Sequence, residues 1–220
     1  DCDDCAGTPD GDLVEDECDV CGGDGTTCLA SVSLGSFDSS GSLEILYDFG
    51  GSVAGFQFDV TGLDLIGGSG GAAGDAGFTV STGGATVLGF SFQGATVAAG
   101  SGVLTVLSFS DITAGTTELS FGNFGSITAS DLSEYDGTAS DSIGHGDPDC
   151  TGDYYGTSWN SDCGCVASDN SGDDCDDCAG TPDGDATIDS CGVCAGDGSS
   201  CLAGLSLGSF DSSGSLEVLY

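Results

Sequence analysis

The sequence predicts an all-β chain in which a β-sandwich is joined to a small disulfide-rich, loop-dominated module, the whole tandemly repeated. Three observations predict it. Residues from about Ser31 to Ser130 alternate apolar with small polar residues in short runs separated by glycine, the period-two signature of half-buried strands. All 13 cysteines lie outside that stretch. Finally, Asp1 to Tyr47 aligns without a gap on Asp174 to Tyr220, with 36 of 47 positions identical, which sets a period of 173 residues. A repeat of this kind is the signature of a modular array. We read the 220 residues as a window on a longer one, and the absence of Met agrees with that expectation.

The repeat divides the chain into a Cys- and Asp-rich connector over 1–28, a sandwich over 29–146, a second connector over 147–201 and the start of a further sandwich over 202–220. In order, the expected strands are Ser31 to Leu34, Leu43 to Asp48, Val53 to Val60, Phe78 to Ser81, Thr86 to Phe92, Val103 to Ser110, Glu118 to Phe121 and Ser126 to Ala129. They are rich in Val, Phe, Leu and Thr, which suit a pleated surface. Gly67 to Gly71 and Ala98 to Gly102 read as the turns between them. In Val53 to Val60, period two places Phe56, Phe58 and Val60 on one face and Gln57 and Asp59 on the other. Leu88, Phe90 and Phe92 repeat the pattern, and we expect both stripes in the core.

Charge narrows the function. Thirty-seven carboxylates face no Lys or Arg, for a formal net charge of −37. A nucleic-acid partner is excluded, because a phosphate backbone needs a basic surface. An anionic membrane surface is disfavoured in the same way, and no apolar run approaches a membrane span. The remaining counter-charges are cations, above all hard divalent ones with oxygen ligands, or a saline solvent that screens the repulsion.

The cysteine count is odd, yet each 173-residue window holds eight: Cys2, Cys5, Cys18, Cys21, Cys28, Cys150, Cys163 and Cys165 in the first, and Cys150, Cys163, Cys165, Cys175, Cys178, Cys191, Cys194 and Cys201 in the last. Eight cysteines permit four disulfides per repeat, in any of 105 pairings. The rival is zinc, since Cys2-x2-Cys5-x12-Cys18-x2-Cys21 has the spacing of a four-thiolate site. Zinc leaves Cys28, Cys150, Cys163 and Cys165 unexplained, whereas one disulfide framework suits a module with little core. Oxidised cysteines place the protein outside the reducing cytosol, at the cell surface or beyond it.

Val53-Ala54-Gly55-Phe56-Gln57-Phe58-Asp59-Val60, Leu88-Gly89-Phe90-Ser91-Phe92, Gly102 to Ser110 and the Gly115 to Ser120 strand together resemble the cohesin-like β-sandwich, a jelly-roll module of extracellular bacterial proteins. The resemblance covers Leu29 to about Tyr135, half the chain, and its motifs are scaffold motifs. It implies a jelly roll and, as one alternative, capture of a dockerin-like partner.

In the connector, Asp183-Gly184-Asp185-x3-Asp189-x-Cys191 is repeated by Asp10-Gly11-Asp12-x3-Asp16-x-Cys18. This resembles the calcium-wrapping type 3 repeat of thrombospondins, which implies that the Asp side chains converge on Ca²⁺. A loop site needs six to eight hard oxygens drawn round the ion by a glycine turn. Asp24 and Asp197 in the following turns, backbone carbonyls or water are expected to complete the shell. Asp147, Asp149 and Asp153 form a weaker acidic patch of the same kind. Asp-Gly pairs also favour turns with no ion at all.

Nothing points to an enzyme. The single His145 lies in a Gly-His-Gly-Asp-Pro stretch that reads as a linker, and neither Ser142 nor Asp141 is marked as its catalytic partner. Tyr154, Tyr155 and Trp159 read as a small apolar plug for the Cys-rich module rather than a carbohydrate platform. The expectation is an extracellular filament or surface fibre that self-assembles with neighbouring repeats and is stiffened by disulfides and calcium. The alternative is an adhesin or scaffoldin-type module with a dockerin-like or carbohydrate ligand. A further version has the Leu202 to Tyr220 strands of one chain completing the sandwich of another.

Overall fold

The computed structural model describes residues 3–15 and 21–220. Cys2, Asp16 and Cys18, all named above, lie outside the described residues. Among the described residues the structure is all-β apart from one five-residue helix, and the chain divides into two compact units. The first comprises residues up to Pro148 with Asp153–Tyr155, and the second comprises Asp149–Gly152 with Gly156–Tyr220.

In the first unit the strands are β1 (Leu29–Asp38), β2 (Ser42–Phe49), β3 (Val53–Thr61), β4 (Leu63–Ser69), β5 (Thr79–Gly83), β6 (Thr86–Phe90), β7 (Gly100–Ile112), β8 (Thr116–Ser120), β9 (Ser126–Ala129) and β10 (Asp136–Gly144), with helix α1 (Gly71–Asp75) between β4 and β5. One layer runs β4-β7-β2-β1 and the other β8-β3-β6-β5, with β9 also on β3. Strand β10 belongs to both. Its first half pairs parallel with β1 through Leu29↔Asp136 to Val32↔Ala139, and its second half pairs antiparallel with β8 through Ser140↔Ser120 to Gly144↔Thr116.

The two inner faces make a single core. Leu43, Ile45, Leu104 and Leu107 come from one layer and Phe56, Phe58, Val60 and Ile127 from the other, all essentially without exposure. Phe56 stacks on Phe58 at 5.7 Å and on Phe78 at 6.0 Å. Burying each such side chain contributes about 1.5–3 kcal/mol, and that gain orders a chain rich in glycine. Phe56, Phe58 and Val60 point inward as their alternation predicts.

The β6 stripe does not. Val87 and Gly89 face the core, while Leu88 and Phe92 are exposed and Phe90 is half-exposed. The reason is local. The Phe56 ring lies where a side chain at position 89 would be, so glycine takes the inward register and turns its large neighbours to the outer face. Gly67 to Ser69 likewise extend β4 along β7 instead of forming a turn.

The second unit contains two small sheets, β11 (Trp159–Ser161) with β12 (Gly164–Val166) and β13 (Ser206–Asp211) with β14 (Ser215–Leu219). It is held by disulfides Cys150–Cys165, Cys163–Cys175, Cys178–Cys194 and Cys191–Cys201. In the first unit Cys5 pairs with Cys21, and Cys28 is also disulfide-bonded. Each pairing of the second and fourth cysteines in the Cys-x2-Cys-x12-Cys-x2-Cys pattern removes two thiolates from a zinc site.

Candidate functional site

The connector is built from loops wound on single carboxylates. Asp177 Oδ1 accepts the backbone N–H of Ala179 at 2.8 Å and of Thr181 at 3.0 Å, and its Oδ2 accepts that of Ala186 at 3.1 Å. Twelve residues on, Asp189 does the same with Cys191, Val193 and Gly198 at 2.8, 2.9 and 2.8 Å. Asp4 takes Ala6 and Thr8 in the same manner, and Asp149 takes Thr151 and Ser158. Relative to the central Asp, the donors fall at positions two, four and nine. A Cβ at position seven, on Gly11, Gly184 or Gly196, would collide with the carboxylate. Position six is left-handed at Asp10, Asp183 and Ala195, with φ of 55°, 51° and 53°.

Amide donors favour the ionised form of a carboxylate. The N–H of Thr181 foremost holds Asp177 below the usual carboxylate range, and that of Val193, followed by Gly198, does so for Asp189. These carboxylates substitute for the apolar core that the connector lacks. The sequence signal is Asp-x2-Gly-x3-Gly, present at Asp4, Asp149, Asp177 and Asp189. Reading Asp183-x-Asp185 as the centre of the motif missed it.

The expected calcium ligands therefore separate. Asp189 and Asp149 turn their oxygens onto backbone amides. Asp197 accepts Ser199 N–H at 2.9 Å, and the Ser199 hydroxyl foremost lowers its pKa. Asp24 accepts the N–H and hydroxyl of Thr26. Asp10, Asp12, Asp147, Asp153, Asp183 and Asp185 are exposed. Among the described residues, one group brings three or more Cys, His, Asp or Glu ligand atoms within 4.8 Å of one another: Cys163, Cys175 and Asp176. Its two sulfurs are joined in a disulfide.

His145 is buried at the end of the sandwich and is not a linker residue. Its Nε2 is 2.7 Å from Thr117 Oγ1 and its Nδ1 3.0 Å from the Tyr155 hydroxyl. Its ring lies 4.8 Å from Phe37, which stacks on Phe109 at 5.4 Å. Desolvation lowers its pKa from the ordinary value. Tyr154 and Tyr155 thus pack with the sandwich rather than with Trp159. The Trp159 ring instead lies against Gly172, where a Cβ would meet it.

Leu88 on the outer face of β6, and Phe92 and Phe124 in the turns that flank β6 and β9, are exposed apolar side chains, as are Ile66 on β4 and Leu132 after β9. Gln57 pairs with Leu88 on one side and Ser126 on the other, and its Nε2 donates to the Phe124 carbonyl at 3.1 Å. Phe124 is 85 % exposed and Phe92 82 %. Phe90 and Phe92 meet edge to face at 4.7 Å. Farther along the same sheet stand Asp59, which accepts the Thr86 hydroxyl at 2.7 Å, and Glu118, opposite Thr61. Among the described residues no helix is long and apolar enough to cross a membrane.

No family model matches the chain, and no curated protein does. Solved structures similar to it include three cohesins. A non-cellulosomal cohesin from the archaeon Archaeoglobus fulgidus is 14% identical, with 52% of this chain and 90% of that one covered and a TM-score of 0.37. A type I cohesin from Clostridium thermocellum, solved in complex with a dockerin, is 12% identical, covering 53% and 98% at 0.39. The sixth cohesin of Acetivibrio cellulolyticus scaffoldin B, solved with a Cel5 dockerin mutant, is 17% identical, covering 52% and 97% at 0.39.

Proposed function

We propose that this chain is a unit of an extracellular repeat protein whose sandwich binds a protein partner through its outer β3–β6–β9 face, set apart by disulfide-stapled spacers. The observation that carries the reading is the exposure of Leu88, Phe92 and Phe124 beside this face of a strongly acidic chain. Exposed apolar side chains grouped at one sheet face are candidate interaction sites, and aromatic anchors dominate binding energy. The neighbouring Asp59 and Glu118, together with the net charge of −37, select a partner that offers apolar side chains flanked by Lys or Arg. The module is read as non-enzymatic.

A dockerin is the first probe, since two of the cohesins above were solved with one. Titration calorimetry of the full chain against a panel of dockerins is expected to find a binder. Phe92→Ser and Phe124→Ser should each weaken it by roughly 25-fold, the effect of losing an anchor of about 2 kcal/mol, at unchanged Tm. Binding that survives both substitutions, or none across the panel, removes the reading.

The second reading is a structural fibre in which the sandwiches only pack on one another. The duplication of Asp1 to Tyr47 at Asp174 to Tyr220 favours it. Calcium is the counter-ion proposed for the spacer in either case, held by the exposed Asp183 and Asp185 carboxylates with carbonyl and water oxygens, while Asp189 keeps its amides.

A further inference from the structure

The four disulfides of the second unit do not serve it equally. Cys150–Cys165 ties the start of the unit to the β11–β12 hairpin, and Cys178–Cys194 and Cys191–Cys201 close the Asp177 and Asp189 loops. Of the four, Cys163–Cys175 is the one that joins the hairpin to the loops. It also has a neighbour that the others lack. Asp176 Oδ1 lies 3.8 Å from Cys163 Sγ and 4.0 Å from Cys175 Sγ. Among the described residues no other disulfide has a carboxylate oxygen within 4.8 Å of both its sulfurs.

Cys191–Cys201 offers a matched contrast within the same unit. Cys201 N–H donates to Cys191 Sγ at 3.0 Å, as Cys175 N–H donates to Cys163 Sγ at 3.1 Å. The oxygen beside Cys191 Sγ, at 3.1 Å, is the uncharged carbonyl of Gly198, so the two bridges differ by the charge that Asp176 adds. Disulfides are reduced by attack of a thiolate on one sulfur and departure of the other as a thiolate, so negative charge spreads over the reacting sulfurs. A carboxylate about 4 Å away opposes that charge throughout. Burial foremost, then the charges of Asp173, Asp162, Asp177 and Asp183, raise the Asp176 carboxyl above its ordinary value, and the same surroundings resist a further negative charge on the sulfurs.

We infer that Asp176 guards the Cys163–Cys175 disulfide electrostatically, slowing its exchange with anionic thiols of the glutathione kind and so preserving the staple that joins hairpin to loops. In the reaction it opposes, a thiolate sulfur bonds to one cystine sulfur and the other leaves with the electron pair. A second thiolate then displaces the remaining cysteine, giving the reagent disulfide and two cysteine thiols that take their protons from water. The guard is independent of the proposed binding face. Its test is the rate at which each disulfide opens first in the full chain, near neutral pH with EDTA present so that no divalent cation screens the carboxylates. Timed acid quenching, alkylation and peptide mass spectrometry read the four bridges separately. With glutathione, Asp176→Asn should speed the opening of Cys163–Cys175 by roughly tenfold, the effect of removing a charge at this distance from a partly solvated site. Cys191–Cys201 in the same molecules should open at its former rate, which reports that the fold is kept. With cysteamine, whose ammonium offsets its thiolate, the variant should gain less. A Cys163–Cys175 rate unchanged in the variant overturns the guard. So does an equal gain at all four bridges, which would make Asp176 a structural residue, or a gain as large with cysteamine as with glutathione.

Discussion

At the scale of single residues, the connector depends on a handful of carboxylates and on the glycines that make room for them. Gly184→Ala places a Cβ against Asp177, so it should speed amide exchange at Ala179, Thr181 and Ala186 and leave the Asp189 loop unchanged. Unaltered exchange would mean that the amides do not depend on the carboxylate. The same bonds set a pH dependence. Asp177 and Asp189 have pKa values depressed on folding, so their stabilisation is complete above the unfolded value of about 4 and is lost as pH falls through the lower folded value. Loop amides should therefore lose protection in acid, although neutralising 37 carboxylates relieves repulsion at the same time. His145 acts in a higher window. Its pKa is lowered by burial, so the unfolded chain takes up the proton first and stability falls as pH drops below about 6.5. The Tm of the sandwich should fall from pH 7 to 5.5, and His145→Leu should remove that component. A Tm that falls equally in the variant would place the effect elsewhere.

At the scale of elements, alternation exposes its own limit. Strands β1, β2, β3, β7, β8 and β9 were legible because Val, Phe, Leu and Thr recur with period two. Strand β10 was not, since Asp136 to Gly144 offers one buried residue, Ala139, and otherwise reads as a polar loop. Its place comes from pairing with β1 and β8, which sequence periodicity does not report. Period two also gives a stripe without saying which way it faces. In β3 the apolar stripe is inside, and in β6 it is outside because Gly89 yields to the Phe56 ring. Phe56→Ala should accordingly cost about 3–5 kcal/mol of stability, while Phe92→Ser should shift Tm by no more than a surface change does. Chemical denaturation of the two variants measures this directly; equal effects would return Phe92 to the core. The cysteine pairing was likewise hidden, because eight cysteines permit many connectivities, and the Asp loops were obscured by a resemblance that drew attention to Asp183 and Asp185.

At the scale of the whole molecule, an apolar core and a covalent framework divide the work between two kinds of unit. The sandwich folds on buried Phe, Leu, Ile and Val. The connector has four disulfides, two of which close stretches of 16 and 15 residues, each contributing about 3 kcal/mol in the chain-entropy model. Reduction should therefore unfold the connector at a reductant concentration that leaves the sandwich intact. Calcium at Asp183 and Asp185 would add to that framework, and chelation should then raise protease sensitivity within 174–201 while sparing 29–144. Both outcomes follow from a spacer that is stapled rather than packed. The most direct test of that arrangement is peptide mapping of the unreduced full chain by mass spectrometry. We predict Cys150–Cys165, Cys163–Cys175, Cys178–Cys194 and Cys191–Cys201 linked, with no free thiol among those eight. Free thiols at Cys175, Cys178, Cys191 and Cys194 with zinc retained would contradict the stapled spacer and the extracellular location with it.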